Sequence, residues 1–202
     1  MTPPIRVLIA EDQSLVRGAL VALVNAESDI EVVAECSTGT EAVRLVREKS
    51  IDVALLDIEM PGLNGLDAAA ELSYEACRCI IVTTFGRAGY VKRAMEVGVD
   101  GFVVKDTPPE QLADAIRRVQ AGMRVIDPTL AQESLLTPDN PLSKREIEVC
   151  QQLFEGKNST AIARALFLSP GTVRNHISSI MAKTGAGNRY EAAYLAKKNG
   201  WI

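Results

Sequence analysis

The chain has 202 residues, 47% of them hydrophobic, with 22 Lys+Arg against 26 Asp+Glu for a formal net charge of −4. That length is comfortable for two domains with a substantial buried core, and no apolar run approaches the ~20 residues needed to span a bilayer, so no membrane insertion is expected. The four cysteines, Cys36, Cys77, Cys79 and Cys150, have neither zinc-finger spacing nor a secreted context, and a single His does not complete a metal site. Buried or idle thiols are expected. The opening Met1-Thr-Pro-Pro-Ile-Arg6 lacks a signal-peptide layout, so a cytoplasmic protein is expected. The charge is unevenly spread: residues 1–138 carry 13 Lys+Arg and 21 Asp+Glu, residues 139–202 carry 9 and 5. An acidic part joined to a basic part suggests two modules with different partners, the basic one a candidate for nucleic acid.

Along the first 122 residues, apolar runs and amphipathic stretches alternate. Ile5 to Ala10 reads as a strand followed directly by Glu11-Asp12. Ser14 to Ala26 reads as a helix with Leu15, Ala19, Leu20, Leu23 and Val24 at helical spacing. Glu31 to Glu35 is a second strand and Gly39 to Lys49 a second helix. Val53-Ala-Leu-Leu-Asp57 is an apolar run without alternation, as suits a strand covered on both faces, and the Pro61-Gly62 turn follows it. A helix from about Gly65 to Tyr74, a strand over Cys79 to Thr84, a helix over Ala88 to Val97, a strand over Gly101 to Val104 and a helix over Pro108 to Ala121 complete the series. Five strand–helix alternations predict an α/β, flavodoxin-like doubly wound parallel sheet of order 2-1-3-4-5.

In such a sheet, ligands bind at the carboxyl ends of the strands. That edge would gather Glu11, Asp12, Asp57, Thr83, Thr84 and Lys105. Three carboxylates together would raise one another's pKa unless a cation joined them, and a hard divalent ion such as Mg²⁺ resolves the conflict. Asp57 could then stay ionised and act as a nucleophile towards phosphorus, with Lys105 and a hydroxyl neutralising the phosphoryl oxygens. Taken singly, Asp57 reads equally as a strand-ending turn residue, Thr83 as a β-branched strand residue and Phe102 as a core aromatic. Their convergence on one edge favours the functional reading.

Ala10-Glu-Asp12, Leu56-Asp-Ile-Glu-Met-Pro-Gly62, Val82-Thr-Thr84 and Phe102-Val-Val-Lys-Asp106 resemble the motif blocks of response-regulator receiver domains. The resemblance implies that Asp57 takes phosphate from a sensor histidine kinase. It implies direct Mg²⁺ ligation by Asp12 and Asp57, with Glu11 acting through water and the main-chain carbonyl of Glu59 completing the protein ligands. Thr83 matches the family's switch hydroxyl and Phe102 its switch aromatic, which would turn inward on phosphorylation. Glu11 stands where Asp is more usual. A Mg²⁺-dependent phosphatase is the rival reading, but Asp57-Ile-Glu59 lacks the second Asp that such enzymes use as acid.

Residues 123–138 contain Asp127-Pro128 and Pro138, without a sustained period apart from a possible short helix around Pro128 to Leu135, and read as a linker. Residues 139–202 read as a small all-α domain. Ser143-Lys-Arg-Glu146 matches a capping box opening a helix to about Glu155, with Ile147, Cys150 and Phe154 inward. Ser159 to Leu166 is a second helix, and Ser169-Pro170 caps a third that runs to about Lys183. Asn188 with Glu191 repeats the capping-box pattern for a last helix. Two helices joined by a tight turn make a helix-turn-helix. In the second, Val173, Ile177, Ile180, Met181 and Thr184 share the inner stripe and leave Gly171, Arg174, Asn175 and Ser178 outward. Arg suits guanine and Asn suits adenine, although such residues also serve as a plain solvated face. Lys183 and Arg189 suit phosphate contact.

Pro141-Leu-Ser-Lys-Arg-Glu146, Ile162-Ala-Arg-Ala-Leu166 and Gly171-Thr-Val-Arg-Asn-His-Ile-Ser178 resemble the LuxR/FixJ-type DNA-binding domain. The resemblance implies DNA contacts from Thr172, Arg174, Asn175, Ser178 and Lys183, with a dimer surface on the last helix at Ala192, Ala193, Leu195 and Ala196. Read together, residues 1–122 and 139–202 look like a NarL/FixJ-family two-component response regulator. Thr83-Thr-Phe-Gly-Arg-Ala-Gly-Tyr90 and Lys198-Asn-Gly-Trp201 look most like the DesR-type regulators of fatty-acid desaturase genes. Membership of that family implies a transcription factor rather than an enzyme, one that forms a homodimer on phosphorylation and binds promoter DNA.

Overall fold

The structure is a computed structural model that describes residues 3–84, 89–136 and 138–202, without the side chains of 89 and 133–136. The chain forms two compact units, one of residues 1–86 and 91–132 and one of residues 87–90 and 133–202. In the first, β1 (Ile5–Ala10), β2 (Ile30–Cys36), β3 (Val53–Asp57), β4 (Arg78–Thr83), β5 (Gly101–Val104) and β6 (Val125–Ile126) pair in parallel in the order β2-β1-β3-β4-β5-β6. Between them run α1 (Ser14–Asn25), α2 (Gly39–Glu48), α3 (Gly65–Leu72), α4 (Gly89–Val97) and α5 (Pro109–Gln120). The doubly wound order expected from the sequence is present, with one strand more. Val125–Ile126, read from the sequence as linker, pairs with Gly101 and Phe102 at the sheet edge. Two residues are too few for alternation to be read, so only the pairing partner reveals the strand.

The side-chain period of two sends alternate residues to opposite faces. Val7, Ile9, Val53, Leu55, Ile80, Val82 and Val103 pack with Leu20 and Val24 of α1 and with Leu112, Ile116 and Val119 of α5. All five residues of β3 are buried, which is why that strand shows no polar alternation. The helical spacing in α1 overstated its inner stripe. Leu20 and Val24 are buried, but Leu15 is 85% exposed and Leu23 lies on the rim. At 3.6 residues per turn Leu15 sits about 140° around the helix from Leu20, beyond the sector that the sheet covers.

After β6, Asp127 Oδ1 accepts the amides of Thr129 and Leu130 at the start of α6 (Pro128–Leu136). The second unit holds α7 (Lys144–Phe154), α8 (Ser159–Ala165), α9 (Pro170–Thr184) and α10 (Arg189–Lys198). Its core joins Val149, Cys150 and Leu153 to Ile162, Val173, Ile177, Ile180, Ala192, Ala193, Ala196 and Trp201. The expected caps form: Ser143 and Glu146 close both arms of a capping box, and Ser169 Oγ accepts the Thr172 amide. Asn188 accepts the Tyr190 and Glu191 amides, whereas the Glu191 carboxylate reaches back to the Gly187 amide, so that box is only half closed. Two expectations are corrected. Phe154, placed inward from the sequence, is half exposed, because Glu146, Val149, Cys150 and Leu153 define the buried stripe of α7. Ala192, Ala193 and Ala196, expected as a dimer surface, are buried in the core of their own unit; the outer face of α10 carries Tyr190 and Tyr194 instead.

The α1 register sets a clear contrast in stability. Leu20→Ala should destabilise the protein by about 2–5 kcal/mol, the range for a buried leucine, whereas Leu15→Ala should stay within about 0.5 kcal/mol. Urea unfolding followed by far-ultraviolet circular dichroism measures both, and equal losses would show that the two leucines share one environment.

Candidate phosphoacceptor site and nucleic-acid interface

The carboxyl ends of β1, β3 and β5 bring Glu11, Asp57 and Lys105 together. Glu11 and Asp57 are buried, and Lys105 Nζ lies 2.6 Å from Glu11 Oε2 and 3.2 Å from Asp57 Oδ1. Asp12, next to Glu11, is exposed, yet ligand oxygens of Glu11, Asp12 and Asp57 all lie within 4.8 Å of one another. Several local devices hold this arrangement. Gln13 donates its amide to Glu11 Oε1 at 3.1 Å, and Arg17 Nη1 donates to the Glu11 carbonyl at 2.6 Å while its Nε reaches Glu35 at 3.3 Å. A Cβ on Gly65 would come within 2.1 Å of the Asp57 carbonyl oxygen. Only glycine therefore lets α3 start this close to the end of β3.

The electrostatics are unbalanced in a particular direction. Burial, then the charge of Glu11, push the Asp57 carboxyl above its ordinary pKa, and Lys105 with the Glu59 amide only partly offsets them. Burial works against the charge on Lys105, but its contact with Glu11 and the charges of Asp57 and Glu11 outweigh it and raise its pKa. The ammonium lies close to Glu11 Oε2 but off the direction of a hydrogen bond, leaving that buried oxygen a counter-charge without an aligned donor. Three carboxylates face one ammonium. Such an all-oxygen donor set fits a hard divalent cation such as Mg²⁺.

The other sequence-predicted residues fall around this centre. Thr83 is buried at the end of β4, donates its hydroxyl to the Thr84 carbonyl at 3.4 Å, and offers its own carbonyl to the Lys105 amide at 2.6 Å. Residues 85–88, part of the run quoted from the sequence, lie outside the described residues. Phe102 is 1% exposed. The ring is thus already buried in this structure, and its strand position pairs with Ile81 of β4 and Ile126 of β6. Glu59 follows β3 and is exposed. Sequence reasoning missed Arg17 and Gly65; both act through the main chain, which leaves no motif of reactive side chains to read.

In the second unit, Arg174, Asn175 and Ser178 lie exposed on one side of α9, and Val173, Ile177 and Ile180 on the other. Gly171 and His176 are half-buried. Thr172 is engaged in the helix cap, its amide on Ser169 Oγ at 3.0 Å and the two hydroxyls 2.9 Å apart. Lys183, expected on phosphate, instead reaches the buried carboxylate of Glu146 at 2.6 Å, and Ser179 Oγ donates to the same carboxylate at 2.6 Å. Arg189 lies 4.9 Å from the centroid of the Tyr190 ring.

The chain matches the response regulator receiver domain over residues 7–117 and the bacterial regulatory proteins of the luxR family over residues 140–196. It is 48% identical over 198 residues to transcriptional regulatory protein DesR of Bacillus subtilis (strain 168), covering 98% of this chain and 99% of that one. It is 43% identical over 200 residues to transcriptional regulatory protein YvfU of the same organism, at 98% and 100% coverage. The crystal structure of response regulator ChrA, of a heme-sensing two-component system, superposes at TM-score 0.61 with 33% identity over the whole of both chains. Fold and site thus define a receiver joined to a LuxR-type helix-turn-helix. The chain belongs to the two-component response regulators with a LuxR-family DNA-binding domain, which regulate transcription rather than serve as metabolic enzymes. Among the described residues, no helix is long and apolar enough to cross a membrane.

Glu146 gives a pH signature. Burial alone would raise its pKa, but Lys183, Ser179 and Ser143 outweigh that and bring it from 4.5 down to about 2. A depressed folded-state pKa contributes stability that is complete above the unfolded value and disappears as pH falls towards the folded one. The second unit should therefore weaken between about pH 4.5 and 2, and Glu146→Gln should flatten that dependence. Fluorescence of Trp201, the single tryptophan and part of this core, reports the unfolding.

Proposed function

We propose that Asp57 accepts a phosphoryl group from a sensor histidine kinase in the cytoplasm, and that phosphorylation promotes homodimerisation and binding to promoter DNA. The observation that carries this reading is the meeting of Glu11, Asp57 and Lys105 in one pocket with an excess of negative charge. In this reading Mg²⁺ is held by Asp12 and Asp57, with Glu11 through water and the main-chain carbonyl of Glu59. When bound it supplies charge neutralisation to the phosphoryl oxygens.

The chain's own groups do the rest. Asp57 is the nucleophile, and burial keeps bulk water from competing with it. Lys105 neutralises the incoming negative charge and must exchange its contact with Glu11 for one with the phosphoryl group. Thr83 turns its hydroxyl from the Thr84 carbonyl to the phosphoryl oxygens. Phe102, already packed, acts as a fixed wall, and the β4–β5 edge changes shape through Thr83 and Lys105. Residues 1–122 serve as the receiver and 139–202 as the DNA-binding module, with 123–138, which carries β6 and α6, as the connector. Arg174, Asn175 and Ser178 enter the major groove, with Thr172 towards the backbone. Any self-catalysed chemistry is limited to slow phosphorylation from small phosphodonors and slow dephosphorylation.

Acetyl phosphate with Mg²⁺, applied to the native protein and to Asp57→Asn, tests this reading. The native chain should gain one phosphoryl group, associate in sedimentation, and bind promoter DNA on the order of 100-fold more tightly, as two linked modules allow. Asp57→Asn should do none of these. Equal phosphorylation of both proteins, or no change in association and affinity of the native one, would refute it.

A further inference from the structure

Phe167 stands in the turn between α8 and α9 with its side chain 96% exposed. Among the described residues it is also the one non-glycine with a positive φ, at 56°. The left-handed region crowds Cβ against the backbone, so a bulky side chain adopts it rarely and at a cost. Elsewhere the chain avoids that cost: α4, α5, α7, α9 and α10 each end beside a glycine at positive φ, namely Gly98, Gly122, Gly156, Gly185 and Gly200. At the end of α8 the same kind of turn forms around a phenylalanine, with the Leu168 amide donating to the Ala163 carbonyl at 2.8 Å. Leu166 and Leu168, on either side, pack against the core of their unit, and Arg145 Nη2 donates to the Leu166 carbonyl at 2.5 Å. The backbone is held, and the ring between the two leucines lies in solvent. It buries almost no apolar surface, so the fold gains nothing from it that offsets the strained φ. Such a side chain serves a partner outside the chain.

We infer, on the reading of residues 139–202 as a DNA-binding module, that Phe167 is a DNA-contacting residue whose ring packs on deoxyribose carbons at the mouth of the groove that α9 enters. Its position selects this contact. Ser169, two residues on, caps α9, and the outward Arg174, Asn175 and Ser178 follow along that helix. Base edges therefore belong to α9, and the turn before it meets the backbone of the duplex. A phenyl ring offers phosphate oxygens neither a charge nor a donor, whereas the carbons of the sugar give it apolar surface to cover. Arg164, three residues earlier and likewise exposed, offers a cation to an adjoining phosphate. The contact is independent of sequence, because every nucleotide carries the same sugar.

The full-length chain, treated with acetyl phosphate and Mg²⁺, is titrated by fluorescence anisotropy against two labelled probes. One is a duplex enriched from a random-sequence pool by the native protein, and the other is a duplex of the same length with that sequence scrambled. Phe167→Gly should weaken binding to both by about tenfold, the loss of a ring half covered by DNA. Phe167→Tyr keeps the ring and should bind as the native chain does. The slope of affinity against salt should be the same in Phe167→Gly and the native chain, since no phosphate contact is removed. Thermal unfolding followed by Trp201 fluorescence should place the midpoint of Phe167→Gly above the native one by about 4 °C, so lost binding cannot be misfolding. Native affinity in Phe167→Gly would overturn the assignment, and a simultaneous loss of activation in a reconstituted transcription reaction would transfer the ring to a protein partner. A loss confined to the enriched duplex, a shallower salt slope or a lowered melting midpoint would overturn it as well. Binding of neither duplex by the native chain would overturn both this assignment and the DNA-binding reading beneath it.

Discussion

A single ammonium set among three carboxylates is the constraint on which the receiver unit depends. Lys105 touches both Glu11 and Asp57, and yet the Asp57 carboxyl remains above its ordinary pKa. The sheet places these groups together because parallel strands all end at the same edge. The cost of burying them is met in part by the Glu59 and Gln13 amides. It is left incomplete at Glu11 Oε2, the oxygen without an aligned donor. An incompletely satisfied buried carboxylate is a poor stabilising device and a good receptor for positive charge. The surrounding chain is rigid where it must be: β3 is buried throughout, Gly65 admits the turn after it, and Arg17 ties down the main chain of Glu11.

The second unit also contains a buried carboxylate, and the contrast is instructive. Glu146 accepts from Ser143, Ser179 and Lys183, and its pKa falls to about 2. Nothing there invites another ligand. The saturated carboxylate joins the start of α7 to the middle and end of α9, and so fixes the helix that presents Arg174, Asn175 and Ser178. Asp57 is held above its ordinary pKa by burial and the charge of Glu11, whereas the fully partnered Glu146 is held below its own.

Much of this was legible in the sequence. Strand–helix alternation gave the sheet order, and the polar residues directly after apolar runs gave Glu11, Asp57 and Lys105, because a strand end is local information. Caps at Ser143 and Ser169 were equally local. What failed depended on neighbours distant in the chain. Leu15 and Phe154 have the spacing of core residues, but the width of the covered sector is set by the partner surface. The alanines of α10 looked available for another chain, yet small residues also let helices approach closely within one unit, as Ala192, Ala193 and Ala196 do. Val125–Ile126 becomes a strand only because β5 offers an open edge.

The central claim is that the pocket activates Asp57 alone among the carboxylates for bonding to phosphorus. Reduction of the acetyl-phosphate-treated protein with borohydride converts an aspartyl phosphate to homoserine, which peptide mass spectrometry locates. The account predicts homoserine at position 57 and at no other acidic position, and only when Mg²⁺ is present. Label at Asp12, or label at Asp57 of equal yield without Mg²⁺, would contradict it.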